Sequence, residues 1–82
     1  MSEMAYIMIT VTGDPQSILP KILKVKGTKI AHAVYGEYDI IILLEAPDME
    51  SLQAVINKEI RTIDGLKSSL TMPVMPETIL KD

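Results

Sequence analysis

The sequence predicts an α+β fold, a ferredoxin-like βαββαβ sandwich in which an antiparallel four-stranded sheet carries two helices on one face. Three observations predict it. The apolar pattern switches between alternation and helical spacing in the order strand, helix, strand, strand, helix, strand. The two halves also echo each other: Asp14-Pro15-Gln16-Ser17-Ile18 and Asp48-Met49-Glu50-Ser51-Leu52 lie 34 residues apart, and Gly27-Thr28-Lys29 and Gly65-Leu66-Lys67 lie 38 apart. The difference of four is about one helical turn, so the second helix is the longer. Finally, two β-α-β halves joined by a hairpin, with right-handed crossovers, put strands one and three in the centre and strands two and four at the edges.

Each element has its own justification. Ala5 to Thr12 (AYIMITVT) is rich in β-branched residues and stops at Gly13-Asp14-Pro15, a turn signal. Ala5, Ile7, Ile9 and Val11 fall on one face of it, and Met4, Tyr6, Met8 and Thr10 on the other. Both faces are largely apolar, as in a central strand covered twice. A helix follows over roughly 15 to 25, where Ile18, Leu19, Ile22 and Leu23 recur at helical spacing. Ser17 as N-cap would place Pro20 in the tolerated first turn; Asp14 followed by Pro15 is the rival start. Gly27 closes this helix as a left-handed cap.

Thr28 to Tyr35 reads as the second strand, Gly36-Glu37 as a tight turn, and Tyr38 to Ala46 as the third strand. Asp48 caps the second helix, whose stripe is Leu52, Val55, Ile56, Ile60 and Ile63, closed by Gly65. Leu66 to Met75 is the fourth strand, and Pro73 within it demands an edge position or the strand's end. The tail, Pro76 to Asp82, is polar and expected to fray.

Two helices cover only one face of such a sheet. The other face is expected to carry Met4, Tyr6 and Met8 with part of the run Ile40 to Leu44, and we assign Met4, Tyr6, Met8, Ile42 and Leu44 to a dimer interface. An uncovered apolar face implies a partner, most simply a second copy.

Composition narrows the chemistry. Eighty-two residues make one domain, taken as 1–82 with its core at about 4–75, and a chain this small buries only a little over half of its unfolded surface. The net charge is −3 and the eight Lys and Arg are scattered, which argues against direct nucleic-acid binding. There are no cysteines, so disulfides, thiolate metal sites and cysteine nucleophiles are excluded. No signal peptide opens the chain and no apolar run reaches the roughly 18 residues of a membrane span, so the expected location is the cytoplasm.

No Gly-rich phosphate loop or nucleophile elbow is present. His32 is the single histidine and sits in an alternating strand, where a structural role is the plainer reading. Glu37 and Asp39 are two residues apart but lack a third ligand, which makes a poor metal site; no cofactor is expected. The six methionines suit core filling and adaptable interfaces.

One stretch stands out. Val34-Tyr35-Gly36-Glu37-Tyr38-Asp39 places two of the three aromatic residues around a glycine, next to two acids. As structure, this is a hairpin turn in which glycine supplies positive φ. As a site, backbone donors could take the carboxylate of a small zwitterion while Asp39 or Glu37 takes its ammonium group. Both readings stand at this point.

The pattern Gly27-x3-Ala31-x4-Gly36-x-Tyr38-Asp39, followed by an apolar strand, resembles the C-terminal effector domain of the leucine-responsive (Lrp/AsnC) regulators, also called the RAM (regulation of amino acid metabolism) domain. Ile63-Asp64-Gly65-Leu66-Lys67-Ser68-Ser69-Leu70-Thr71 is similar to that family's I-P-G-V-x-x-T-x-T segment. Asp64 stands in place of the proline and Ser69 in place of a threonine. The resemblance covers about residues 4 to 75.

It implies pairing of sheets into an α/β-barrel-like dimer, assembly of dimers into rings of eight or ten, and binding of a free amino acid between dimers. Carried over, the candidate ligand residues are Gly36, Tyr38 and Asp39 on the loop and Ser69 and Thr71 on the last strand; Glu37 holds the variable position and Ser68 is a neighbour by adjacency. Full regulators carry a helix-turn-helix domain, which this sequence does not show, so a stand-alone module is expected, one that could co-assemble with a full-length regulator. The leading function is non-catalytic amino-acid sensing. The alternatives are a purely structural oligomerisation module and, more remotely, a small enzyme on the same fold.

Overall fold

A computed structural model describes residues 2–75. The elements are β1 (Glu3–Val11), α1 (Pro15–Leu23), β2 (Thr28–Ala33), β3 (Ile40–Ala46), α2 (Met49–Val55) running on into a π-turn (Ile56–Ile60), and β4 (Leu66–Pro73). The sheet order is β2-β3-β1-β4 with every neighbouring pair antiparallel, the arrangement the repeat and the crossover rule require. Pro73 closes edge strand β4, where its missing N–H costs no ladder bond to a further strand. The expected fraying tail, Pro76 to Asp82, lies outside the described residues.

Strand pairing decides which face each apolar residue occupies. Ala5 pairs with Leu44, Ile7 with Ile42 and Ile9 with Ile40. Directly opposed residues share a face, and all six are fully buried beneath the helices. Ile18 and Ile22 of α1, Leu52 of α2, and Ile56 and Ile60 of the π-turn complete this core with Val25 and Ala46. Ile42 and Leu44 are therefore core residues and not part of the open face, a correction to the expected dimer set. The odd-numbered residues of β3 lie on the open side instead. Ile41 pairs with Met8 and Leu43 with Tyr6.

The open face is laid out in rows across the four strands. One row runs His32, Ile41, Met8, Leu70, and the next runs Ile30, Leu43, Tyr6, Met72. Tyr6, Ile30, Leu70 and Met72 are all exposed. A contiguous apolar sheet face of this kind is uncommon on a monomer that stays alone.

The helix starts follow from short side chains at the caps. Asp14 Oδ1 accepts the Gln16 N–H at 3.0 Å with Pro15 in the first helical position, so α1 takes the earlier of the two expected starts and Ser17 is not the cap. Pro20 then lies inside the helix, where it has no N–H to give the carbonyl one turn back, and α1 stays short. Asp48 Oδ1 accepts the Ser51 N–H at 2.7 Å and starts α2.

The π-turn has a packing cause. Residues spaced by four overshoot one α-helical turn by about 40°, so Leu52, Ile56 and Ile60 would fan out by about 80° in a regular helix. The wider π-turn takes up the excess, and all three stay buried. The backbone signature is the Arg61 N–H donating to the Ile56 carbonyl at 2.9 Å.

Gly27 and Gly65 were expected as helix caps, but the helices end earlier, with Lys24 and Arg61 at the C-cap positions. Gly27 has a different task. Its φ is +97°, its carbonyl accepts the Glu45 N–H at 2.8 Å, and a Cβ there would lie 2.3 Å from the Glu45 carbonyl oxygen. It is where β2 enters against the backbone of β3.

Candidate functional site

The hairpin between β2 and β3 is built on Asp39. Its carbonyl accepts the Val34 N–H at 2.9 Å, and its N–H donates to the Ile9 carbonyl at 2.8 Å. Its Oδ2 accepts the Val11 N–H at 2.9 Å in a half-buried setting. Since Ile9 pairs with Ile40, the Asp39–Ile9 bond is one residue out of step with the ladder. On the other flank, the β1–β4 register also shifts between Thr10 and Val11. The end of β1 is thus irregular on both sides, and the Asp39 carboxylate fills the gap left at the Val11 N–H. Such bulges gather at sheet ends and beside binding sites.

Beyond Asp39 the hairpin stands clear. The ladder stops at Ala33 and Ile40, so the turn still centres on Gly36 and Glu37 but is looser than the tight turn expected. Gly36 has φ +127°, which glycine alone adopts readily, and among the described residues no atom is near enough to touch a Cβ there. Glu37 is exposed, Tyr38 is half-buried, and Tyr35 at the tip is fully exposed.

The last-strand candidates separate by face. Ser69 pairs with Ile9 and Thr71 with Ile7, so both lie on the helix side of β4. Ser68 pairs with Thr10 on the open side, and the two hydroxyls hydrogen-bond to each other. Ser68 and Ser69 therefore cannot face one ligand from the same chain.

The loop and strand candidates are also well apart. With about 4.8 Å between strands and about 3.4 Å per residue along them, Asp39 and Thr71 lie about 14 Å from each other. A free amino acid cannot touch both within one chain.

Thr71 instead faces a groove with α2 and the π-turn. Gln53, Ile56, Asn57 and Arg61 form one wall, Thr71 and Pro73 the other, and the open space is about 330 Å³. Sequence reasoning missed this wall because its alignment depends on the π-turn. A second hollow, of about 240 Å³, lies between the start of α1 and the hairpin, lined by Asp14, Pro15, Gln16, Ala33, Val34 and Tyr35. His32 lines a shallow apolar depression of about 160 Å³ on the open sheet face with Tyr6, Ile30, Ile41 and Leu43. Among the described residues, no three His, Cys, Asp or Glu side chains are placed to hold a metal ion, and no helix is long and apolar enough to cross a membrane.

Known proteins match this chain along nearly its whole length. E. coli AsnC superposes with a TM-score of 0.86 at 27% identity, covering 98% of this chain and 55% of AsnC. A hypothetical protein from Pyrococcus horikoshii superposes with a TM-score of 0.84 at 29% identity, covering 94% of this chain and 93% of that one. A transcriptional regulator from Neisseria meningitidis, solved in complex with L-Met, gives a TM-score of 0.81 at 16% identity over 95% of this chain and 53% of its own, a likeness of fold alone.

Among curated sequences, the homocitrate synthase of Sulfolobus acidocaldarius is 32% identical over 59 residues, which are 72% of this chain and 12% of that enzyme. The chain thus spans about half of AsnC and a small part of the synthase. Residues 4–81 match the family described as the Lrp/AsnC ligand binding domain. The four-stranded sheet, the two helices on one face and this match together place the chain in the Lrp/AsnC ligand binding domain family.

Proposed function

We propose that the protein is a non-catalytic, self-assembling module that senses a small amino acid. The observation that carries the reading is the match of residues 4–81 to a ligand binding domain. The open sheet face supports self-association, with Met4, Tyr6 and Met8 joined by Ile41, Leu43, Leu70 and Met72. Pairing two such faces removes apolar surface from water at about 25 cal/mol per Å².

Gly36, Glu37, Tyr38 and Asp39 supply the loop contacts of the ligand, and Ser69 and Thr71 contacts from the last strand of a different copy. Within one chain Asp39 lies about 14 Å from Thr71 and about 10 Å from Ser69, separations that support a site shared between copies. Fold-level analogy adds support, since the Neisseria regulator on the same fold is in complex with L-Met. A ligand at such a boundary acts by linkage, favouring the assembly that binds it more tightly. Co-assembly with a full-length regulator of the family would pass that preference to transcription.

A second reading draws on one observation: an oxygen of the Asp39 carboxylate is already committed to Val11, so the loop is also a structural clasp. In that reading the module only assembles. Thermal unfolding against each of the twenty amino acids, with assembly mass followed by light scattering, separates the two. A ligand at 100 times its Kd adds about 2.7 kcal/mol, a shift of several degrees for a domain of this size. A selective shift is expected. No shift with any amino acid, on an intact oligomer, would overturn sensing in favour of the clasp.

A further inference from the structure

We infer that the groove between the π-turn and β4 is a carboxylate-binding site centred on Arg61, which takes a small molecule with an acid group and a short apolar body. Arg61 is the only arginine in the chain. Gln53, Asn57 and Arg61 are spaced by four, so a regular α-helix would fan them by about 80°. The π-turn that keeps Leu52, Ile56 and Ile60 in the core closes this fan too, and sets the three polar side chains along one wall. The facing wall carries the Thr71 hydroxyl, while Ile56 and Pro73 add apolar surface.

The chemistry of the wall is one-sided. A guanidinium offers five donors in a planar fork matched to a carboxylate, two carboxamides and a hydroxyl can complete the anion's shell, and among the described residues no acid lines the groove. Among the described residues the Arg61 guanidinium makes one long hydrogen bond, Nη1 to Asn57 Oδ1 at 3.4 Å, which leaves most of the fork open. Among the described residues the one ion pair is Lys29 with Glu45, on a different part of the sheet. The groove volume of about 330 Å³ is at the low end for ligand sites, which suits a molecule of amino-acid size.

This rests on reading the chain as a ligand-binding module, and it names the half of a zwitterion that this wall would hold.

The test is a backbone-amide NMR titration of the full chain with sodium propionate at fixed ionic strength, with n-propylammonium chloride as the counter-probe. Propionate should give saturable shifts at residues 53–61 and 71–73, and propylammonium none there. Arg61→Gln should weaken propionate at least tenfold, Arg61→Lys should recover part of the loss, and Lys58→Gln should change nothing. Shifts that do not saturate, that persist in Arg61→Gln, or that propylammonium reproduces would overturn the site.

A parallel titration with the twenty amino acids keeps the two ideas apart. An amino acid that shifts residues 36–39 equally in parent and Arg61→Gln, with no saturable propionate effect, leaves sensing standing and overturns the groove. Saturable propionate binding lost in Arg61→Gln, with no amino acid shifting any amide, supports the groove and overturns amino-acid sensing.

Discussion

Replacing Asp39 separates a structural duty from a recognition duty, because its backbone and its side chain do different things. The bonds from its N–H to Ile9 and from Val34 to its carbonyl belong to the backbone and survive substitution by alanine or asparagine. What Asp39→Ala removes is the acceptor for the half-buried Val11 N–H. Leaving such a donor unpaired costs about 1–3 kcal/mol. At about 4–8 °C per kcal/mol for a domain of this length, a loss near 1.5 kcal/mol lowers Tm by about 6–12 °C.

Asp39→Asn keeps a carbonyl oxygen in the same place and loses only the charge, so its Tm should fall by less than half as much. Thermal melts followed by circular dichroism, at one fixed protein concentration because assembly is linked to stability, give the comparison. An Asp39→Ala variant that melts within about 2 °C of the parent would refute the clasp. Asp39→Asn is then the cleaner probe of recognition: an intact Tm with loss of any amino-acid-dependent shift isolates the ammonium contact.

Other predictions follow from features away from the hairpin. Gly27→Ala meets the β3 backbone and a positive φ together, so it should cost about 3 kcal/mol or more in urea unfolding; a loss below about 1 kcal/mol would mean β2 can shift freely. Tyr6→Asp should split the dimer while leaving the far-UV spectrum folded, whereas Ile42→Asp should unfold the chain, because one residue lies on the open face and the other in the core. If Tyr6→Asp unfolded while Ile42→Asp dissociated and stayed folded, the face assignment would be reversed.

Glu45 is held below its ordinary pKa of 4.5 first by the Ser2 hydroxyl and then by Lys29. Asp48 is held below 3.8, chiefly by the Ser51 backbone N–H. Both folded values are depressed, so the stability they lend is complete above the ordinary carboxylate range and is lost as pH falls through it toward the folded values. Asp48→Asn should therefore flatten the acid limb of Tm against pH; an unchanged limb would show that the cap carries no charge dependence.

The order of elements and the central pairing of β1 with β3 were legible because patterning, repeat and crossover handedness agree. The phase of β3 was harder to read. Ile40 to Leu44 are five apolar residues in a row, which carry no inside or outside of their own. Glu45 held the missing phase: a half-exposed acid paired with Lys29 belongs on the open face, and counting back by two from it puts Leu43 and Ile41 there.

The start of α1 depended on Pro20, which argues locally for a later cap but is overridden by Asp14 and Pro15 acting together. In the site, the hairpin was visible as a motif, yet the tie between Asp39 and Val11 joins residues 28 apart and follows from a bulge that no local pattern announces. The Arg61 wall was hidden for a related reason. At α-helical spacing Gln53, Asn57 and Arg61 diverge, and only the wider turn lines them up.

That wider turn also makes the second helix forgiving of a change in length. Taking out one residue between 57 and 59 would let the turn relax to an ordinary α-helix, with Ile60 three places after Ile56 and Arg61 seven places after Gln53. Both spacings return to the same side of an α-helix, so the apolar stripe and the arginine would each keep their bearing. Deletions inside helices usually rotate everything downstream by about 100°. Here the helix holds one residue in reserve, and the strand that follows would not register its loss.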